Sequence, residues 1–282
     1  MHRSLLFLFA VGILVSCQPT ASDNPQDCPV NQTATIGLRD SIQSTALGEK
    51  RYLNYYLPAG YQVDSAATYP VVYLLDGSKH EDFPHIAGLM QFLNMYEIAP
   101  KMIVVGIENV DRYRDFTYPS KNKLDLEEMP TSGGSAAFMQ FIEEELQPHI
   151  TQKLRTTAPR TLIGQSMGGL LATEVLMRKP DLFEQYFIIS PSLWWDDQSL
   201  VPEMPTYFQS HPELNKRVFV SLGEEHPVMH EVADKLVEAM RNSENPSLEV
   251  HYEPILTENH ATILHKAVYL GFERLYPKQE DE

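Results

Sequence analysis

A chain of 282 residues, 43% of them hydrophobic, is long enough to bury a large core without help from disulfides, and its two cysteines are too few for a disulfide framework. Its 22 Lys and Arg stand against 38 Asp and Glu, and the net charge of −16 argues against binding nucleic acid or anionic lipid head groups by general electrostatics. No internal repeat or low-complexity tract interrupts the chain.

In chain order, Met1-His2-Arg3 is a short basic region, and Leu5 to Val15 is an apolar run too short to span a bilayer comfortably. It ends in Leu14-Val15-Ser16-Cys17, which resembles a bacterial lipobox. On that reading residues 1–16 are a signal peptide and Cys17 is lipidated. Residues 17–33, rich in Gln, Pro, Thr, Ser, Asp and Asn, are then a flexible tether. The mature chain would have 282 − 16 = 266 residues, with one α/β domain over residues 34–282, and Cys28 would lack an intrachain partner. The expected location is the bacterial cell envelope, on the periplasmic or outer-membrane side.

Arg39 to Tyr61 reads as a β-hairpin turning near Gly48. Val71–Leu75 and Met102–Ile107 are continuous apolar runs, as expected of central strands covered on both faces. Phe138 to Ile150 has helical periodicity, with Glu143, Glu144 and Glu145 on its solvated side. Thr161–Ile163 reads as the next strand, followed by a helix that stops at Lys179-Pro180. Tyr186–Ser190, Arg217–Leu222 and Leu248–Ile255 read as further strands, with helices over Val228–Met240 and Ile263–Leu275. This alternation predicts an α/β class protein with a mostly parallel, doubly wound sheet.

Gly164-Gln165-Ser166-Met167-Gly168-Gly169 lies between one of these strands and its helix. G-x-S-x-G in that context is the nucleophile elbow of an α/β-hydrolase fold. The serine needs a strained turn with nearly side-chain-free neighbours, and the helix N-terminus behind it favours developing negative charge. A serine hydroxyl also needs a base, and the base needs an orienting carboxylate. His260, in the polar loop between the last strand and the last helix, is the candidate base. His251 falls inside a strand and His265 inside the closing helix. Gly223-Glu224-Glu225-His226 follows the Arg217–Leu222 strand and supplies Glu225, with Glu224 as the alternate acid; Asp196 and Asp197 are weaker alternatives. The oxyanion hole is expected from the N–H of Met167 and from Gly77 or Ser78.

These pieces resemble the "putative esterase" (esterase D-like) family of α/β-hydrolases. The resemblance rests on Tyr69–Gly77, Arg112–Thr117, Gly164–Gly169, Ser190-Pro191-Ser192-Leu193-Trp194-Trp195 and the loop at His260, spanning roughly residues 40–276. The Ser-Pro-Ser-Leu-Trp-Trp segment is most similar to the siderophore-esterase branch, related to esterases for enterobactin and bacillibactin. Many feruloyl-type members carry an Asp where this chain has His226, which leaves the acid open between Glu225, Glu224 and none. The resemblance implies a serine carboxylic-ester hydrolase without a cofactor, acting on a small-molecule siderophore-type or glycan-linked ester. An acyltransferase or peptidase on the same fold and a catalytically inactive, lipid-anchored binding protein are the competing readings.

Trp194, Trp195, Arg112, Tyr113 and Phe116, with Phe83 beside them, are the candidate substrate-binding residues, and Arg114 joins Arg112 as a possible anion contact. His226 and His230 have the i, i+4 spacing of a metal pair but lack a third nearby ligand, so no metal is expected. The sequence leaves the oligomeric state open.

Overall fold

Six apolar strands lie side by side and parallel, and their side chains leave the sheet alternately toward two separate cores. The computed structural model describes residues 36–277. Its strands are β1 (Leu38–Gln43), β2 (Lys50–Tyr56), β3 (Tyr69–Leu74), β4 (Ile103–Ile107), β5 (Thr156–Gln165), β6 (Gln185–Ile189), β7 (Lys216–Ser221) and β8 (Leu248–Tyr252). They form one sheet in the order β1-β2-β4-β3-β5-β6-β7-β8. β1 and β2 pair antiparallel through the turn at Gly48, and β2 joins β4 antiparallel, while every later pairing is parallel. This is the α/β-hydrolase fold that the elbow motif predicts.

The alternation is visible residue by residue. Val71, Tyr73, Leu162, Ile188 and Val218 enter one core. Their chain neighbours Val72, Leu74, Ile163, Phe187 and Phe219 enter the other. A strand apolar on both faces must be covered on both, so helices flank the sheet on each side. Helices α1 (Phe83–Met95) and, at the chain's end, Ile263–Leu275 close the second core with Ile86, Met90, Val268 and Phe272.

Between β4 and β5 come the short helices α2 (Arg112–Phe116) and α3 (Lys123–Glu128). Helix α4 (Ser135–Gln140) then runs through a π-helical segment, Phe141–Leu146, into α5 (Gln147–Lys153). The helix read at Phe138–Ile150 is therefore longer at both ends and locally widened. Glu143 and Glu144 are solvated as expected. Glu145 instead accepts the N–H groups of Thr45 and Ala46, each at 2.9 Å, and ties the hairpin turn to this helix. Helix α6 (Met167–Arg178) is buried from Met167 through Met177 against the sheet, Thr173 and Glu174 included. Beyond it lie α7 (Trp195–Gln198), α8 (Met204–Ser210), α9 (Pro227–Arg241) and α10, the closing helix.

A buried ionic network holds α2 against the sheet. The side chains of Arg51 on β2 and Asp115 on α2 are fully buried and paired at 2.5 Å. Arg51 also reaches Glu49 and the Glu108 carbonyl, and Arg114 bridges Glu49 and Asp115. Removing one partner strands the other charge in the core. Asp115→Ala is expected to lower unfolding free energy by about 3–5 kcal/mol, read from a denaturant midpoint. A loss below about 1 kcal/mol would show that the network does not anchor this helix.

Candidate active site

β5 ends at Gln165 and α6 begins at Met167, so the whole strand-to-helix reversal falls on Ser166. Its φ of 59° and ψ of −121° are a conformation that residues with side chains rarely adopt. The surroundings enforce it. The Ser166 N–H donates to Ile189 at 3.0 Å, and its carbonyl accepts from Leu170 and Ser192, each at 3.0 Å. Only glycine fits at position 164, because a Cβ there would lie 2.2 Å from the Gly168 carbonyl oxygen. The Met167 N–H is the first of α6 and has no intrahelical acceptor.

Two loops from neighbouring strands bring the carboxylate and the imidazole together. Glu224 and Asn259 form an isolated parallel bridge, and the Glu224 N–H donates to the Glu258 carbonyl at 2.7 Å. Position 223 must be glycine for that approach, since a Cβ there would lie 2.6 Å from the same carbonyl oxygen. Glu225 then meets His260, Oε2 to Nδ1 at 2.9 Å. Its carboxylate is 3% exposed while the His260 ring is 45% exposed, so the ring keeps one buried anchor and one open side. Burial alone would raise the Glu225 pKa; the hydrogen bonds from His260, Ser190 and Gly223 outweigh it and hold the carboxyl below its ordinary value. Of the two acids considered, Glu225 makes this contact and Glu224 points to solvent. Asp196 and Asp197 face elsewhere, toward Ser120, Lys121 and Asn122.

Ser166 and His260 line one cavity of about 370 Å³ with Asp76, Glu81, Asp82, Arg112, Gln165 and Ala261. Three residues that carry no sequence motif of their own complete the arrangement. The Gln165 side chain donates to the His260 carbonyl, clamping the histidine loop to the elbow. Ser192 places its Oγ 3.3 Å from that of Ser166. Ser190, fully buried at φ 43°, donates its hydroxyl to Glu225. The only sequence signal for the last two was the Ser-Pro-Ser segment of the resemblance, which suggested no role for either.

The structure corrects several substrate and oxyanion assignments. The Gly77 N–H donates to Ile107 at 2.9 Å and is not available as an oxyanion donor. The Ser78 N–H has no acceptor among the described residues. Trp195 is buried, with its Nε1 donating to the Tyr118 carbonyl at 2.9 Å, and Phe116 is buried edge-on against Phe138. Phe83 is also core. These aromatics pack because their strands and helices turn them inward, away from the cavity. Trp194 is half-buried on Leu222 and Met229 beside the acid loop, and Tyr113 is exposed without lining the cavity. Arg112 does line it, whereas Arg114, two residues on along α2, faces the buried network.

The remaining histidines have other roles. His226 caps α9, accepting the Val228 N–H at 3.3 Å, and His251 pairs with Glu249. Among the described residues no group of three His, Cys, Asp or Glu is arranged to hold a metal ion. Cys17 lies outside the described residues.

The sheet order and the strand-to-helix elbow define an α/β-hydrolase fold. The chain belongs to the esterase family, whose model, described as "Putative esterase", matches residues 44–260, and it is a carboxylic-ester hydrolase. It is 30% identical over 218 residues to the ferri-bacillibactin esterase BesA of Bacillus subtilis, covering 70% of this chain and 75% of that protein. Its fold is similar to an IroE-like serine hydrolase from Shewanella oneidensis, at a TM-score of 0.74 and 30% identity, over 85% of this chain and 80% of the other. It is also similar to the BES protein from Bacillus cereus, at a TM-score of 0.76 and 25% identity, over 86% and 95% of the two chains.

The loop contact generates a prediction. Gly223→Ala is expected to keep the fold, by circular dichroism, but to slow fluorophosphonate labelling of the protein at least about tenfold, because the added methyl separates Glu225 from His260. Labelling at the parental rate would show that the two loops need not touch.

Proposed function

We propose that Ser166 is the nucleophile, His260 the general base and Glu225 the orienting acid of an esterase that cleaves a siderophore-type ester in the cell envelope. The observation that carries this reading is the Glu225–His260 contact at 2.9 Å in the cavity that Ser166 also lines.

In this mechanism Ser166 Oγ attacks the ester carbonyl while His260 Nε2 takes its proton. The oxyanion is held by the Met167 N–H at the start of α6, with Ser78 as the second donor. His260 then protonates the leaving alcohol, and water, deprotonated by the same ring, releases the acid from the serine. Glu225 keeps Nδ1 protonated and stabilises the imidazolium as it forms; its depressed pKa means that it is charged when needed. Ser190 and the Gly223 N–H satisfy its other oxygen, so the buried charge is not left without donors.

A siderophore-type substrate is supported by the likeness to a ferri-bacillibactin esterase over most of both chains, and is preferred here to a glycan-linked ester. The envelope location rests on Leu14–Cys17, which lies outside the described residues. With lipid on Cys17 the enzyme would be held at a membrane through residues 17–33.

Ser166→Ala is expected to lower ester turnover by about 10⁶-fold with the parental melting temperature, and Glu225→Ala by a smaller factor of about 10⁴ with a lowered melting temperature, because Ser190 and Gly223 lose their buried acceptor. Intact mass after a fluorophosphonate should show one adduct on the parent and none on Ser166→Ala. Retained turnover in Ser166→Ala would overturn the assignment. For the anchor, radiolabelled palmitate should enter the parent expressed in a bacterium and be absent from Cys17→Ala, which should also leave the membrane fraction.

A further inference from the structure

The cavity around Ser166 is more acidic than hydrolysis requires. Its wall carries Asp76, Glu81 and Asp82 against a single fixed cation, Arg112. That cation is already committed. Arg112 donates from Nε and Nη2 to the two oxygens of Asp76 at 2.7 and 2.9 Å, and its Nη2 also reaches the Gln165 carbonyl at 3.3 Å. Asn109 adds a third hydrogen bond to Asp76 at 2.6 Å. Arg112 is therefore paired with Asp76, and among the described residues the carboxyls of Glu81 and Asp82 have no cation partner.

Asp82 is the more informative of the two. It occupies the N-cap position of α1, yet its side chain caps no N–H, and among the described residues it pairs with no cation. Glu81 is exposed beside it, whereas Asp82 is only partly open to the cavity. Burial, and after it the charges of Asp76 and Glu81, push the Asp82 carboxyl up to about 7, with Arg112 opposing in part. A carboxyl with no partner among the described residues, lining the same cavity as Ser166, is free to interact with substrate.

We propose that Asp82, backed by Glu81, makes this cavity a charge filter, which accepts esters that are uncharged or positively charged beside the scissile carbonyl and rejects anionic ones. The inference rests on Ser166 as the nucleophile. Across a partly buried wall the effective dielectric is well below that of water, so one charge on the substrate changes kcat/KM by roughly tenfold or more.

The test uses 4-nitrophenyl esters of pentanoate, 4-sulfobutyrate and 4-(trimethylammonio)butyrate, which share a leaving group and differ in a permanent charge. The kcat/KM ratio of cationic to anionic ester should be roughly tenfold or more at low salt and about pH 8. It should fall at about pH 6, as Asp82 takes up its proton, and fall again in about 0.5 M salt. Arg112 stays charged throughout, and His260 serves both esters alike, so the pH dependence of the ratio follows Asp82. Asp82→Asn should bring the ratio closer to one, and Glu81→Gln should do so less. A ratio within about twofold in the parent, or one unchanged in Asp82→Asn, overturns the proposal. If Asp82→Asn does not fold, a parental ratio insensitive to both pH and salt overturns it instead. Turnover of the uncharged pentanoate ester, and its loss in Ser166→Ala, reports separately on the nucleophile.

Discussion

The site depends on the close approach of two loops that belong to different strands. β7 and β8 are parallel neighbours, so their carboxyl ends finish at the same edge of the sheet. That alone leaves Glu225 and His260 on separate, unconnected turns. The absence of a side chain at Gly223 lets the first loop lie against the Glu258 carbonyl, and the Glu224–Asn259 bridge locks the register. The carboxylate and imidazole then meet at 2.9 Å with the ring anchored on one side, a preorganisation that the proposed base role requires.

A second turn links that pair to the serine. Ser190-Pro191-Ser192 leaves β6 with Ser190 in the left-handed region, and its two hydroxyls point to opposite ends of the site. One reaches Glu225 and the other Ser166. Positive φ values recur around the cavity, at Asp76, Ser166 and Ser190, each just past the end of a central strand. Such conformations persist only where neighbouring contacts over-determine them. Here the carbonyls of Ile189 and Ser221 fix the N–H groups of Ser166 and Ser190. The regular, fully buried part of the sheet thus carries the strain of its functional edge.

Charge is handled in two ways within the same molecule. In the interior, Arg51 and Asp115 are paired and surrounded by further partners, so that α2 is held in place and presents Arg112 to the cavity. At the cavity, Arg112 pairs with Asp76, while Asp82 pairs with no cation among the described residues. A net charge of −16 gives no hint of this division, because it depends on which carboxylates have a cation within reach.

The strands, the mostly parallel sheet and the nucleophile elbow were legible in the sequence because they depend on local patterns. A short apolar run rich in β-branched residues fits a strand covered on both faces, and G-x-S-x-G between a strand and a helix fits the elbow turn. That His260 lines the cavity with Ser166 was expected from chain order for the same reason. The choice of Glu225 over Glu224 was not, since adjacent residues in a loop point in different directions and only the bridge to Asn259 decides which one turns inward. Nor were the roles of the aromatic residues. Trp195 and Phe116 are hydrophobic enough either to line a pocket or to fill a core, and the helices around Phe138 took them into the core. The sequence by itself determined the elements and the chemistry they carry, because periodicity and turn geometry act over a few residues. Tertiary structure alone decided which carboxylate meets His260 and which carboxyls line the cavity with Ser166, because those are contacts between residues tens of positions apart.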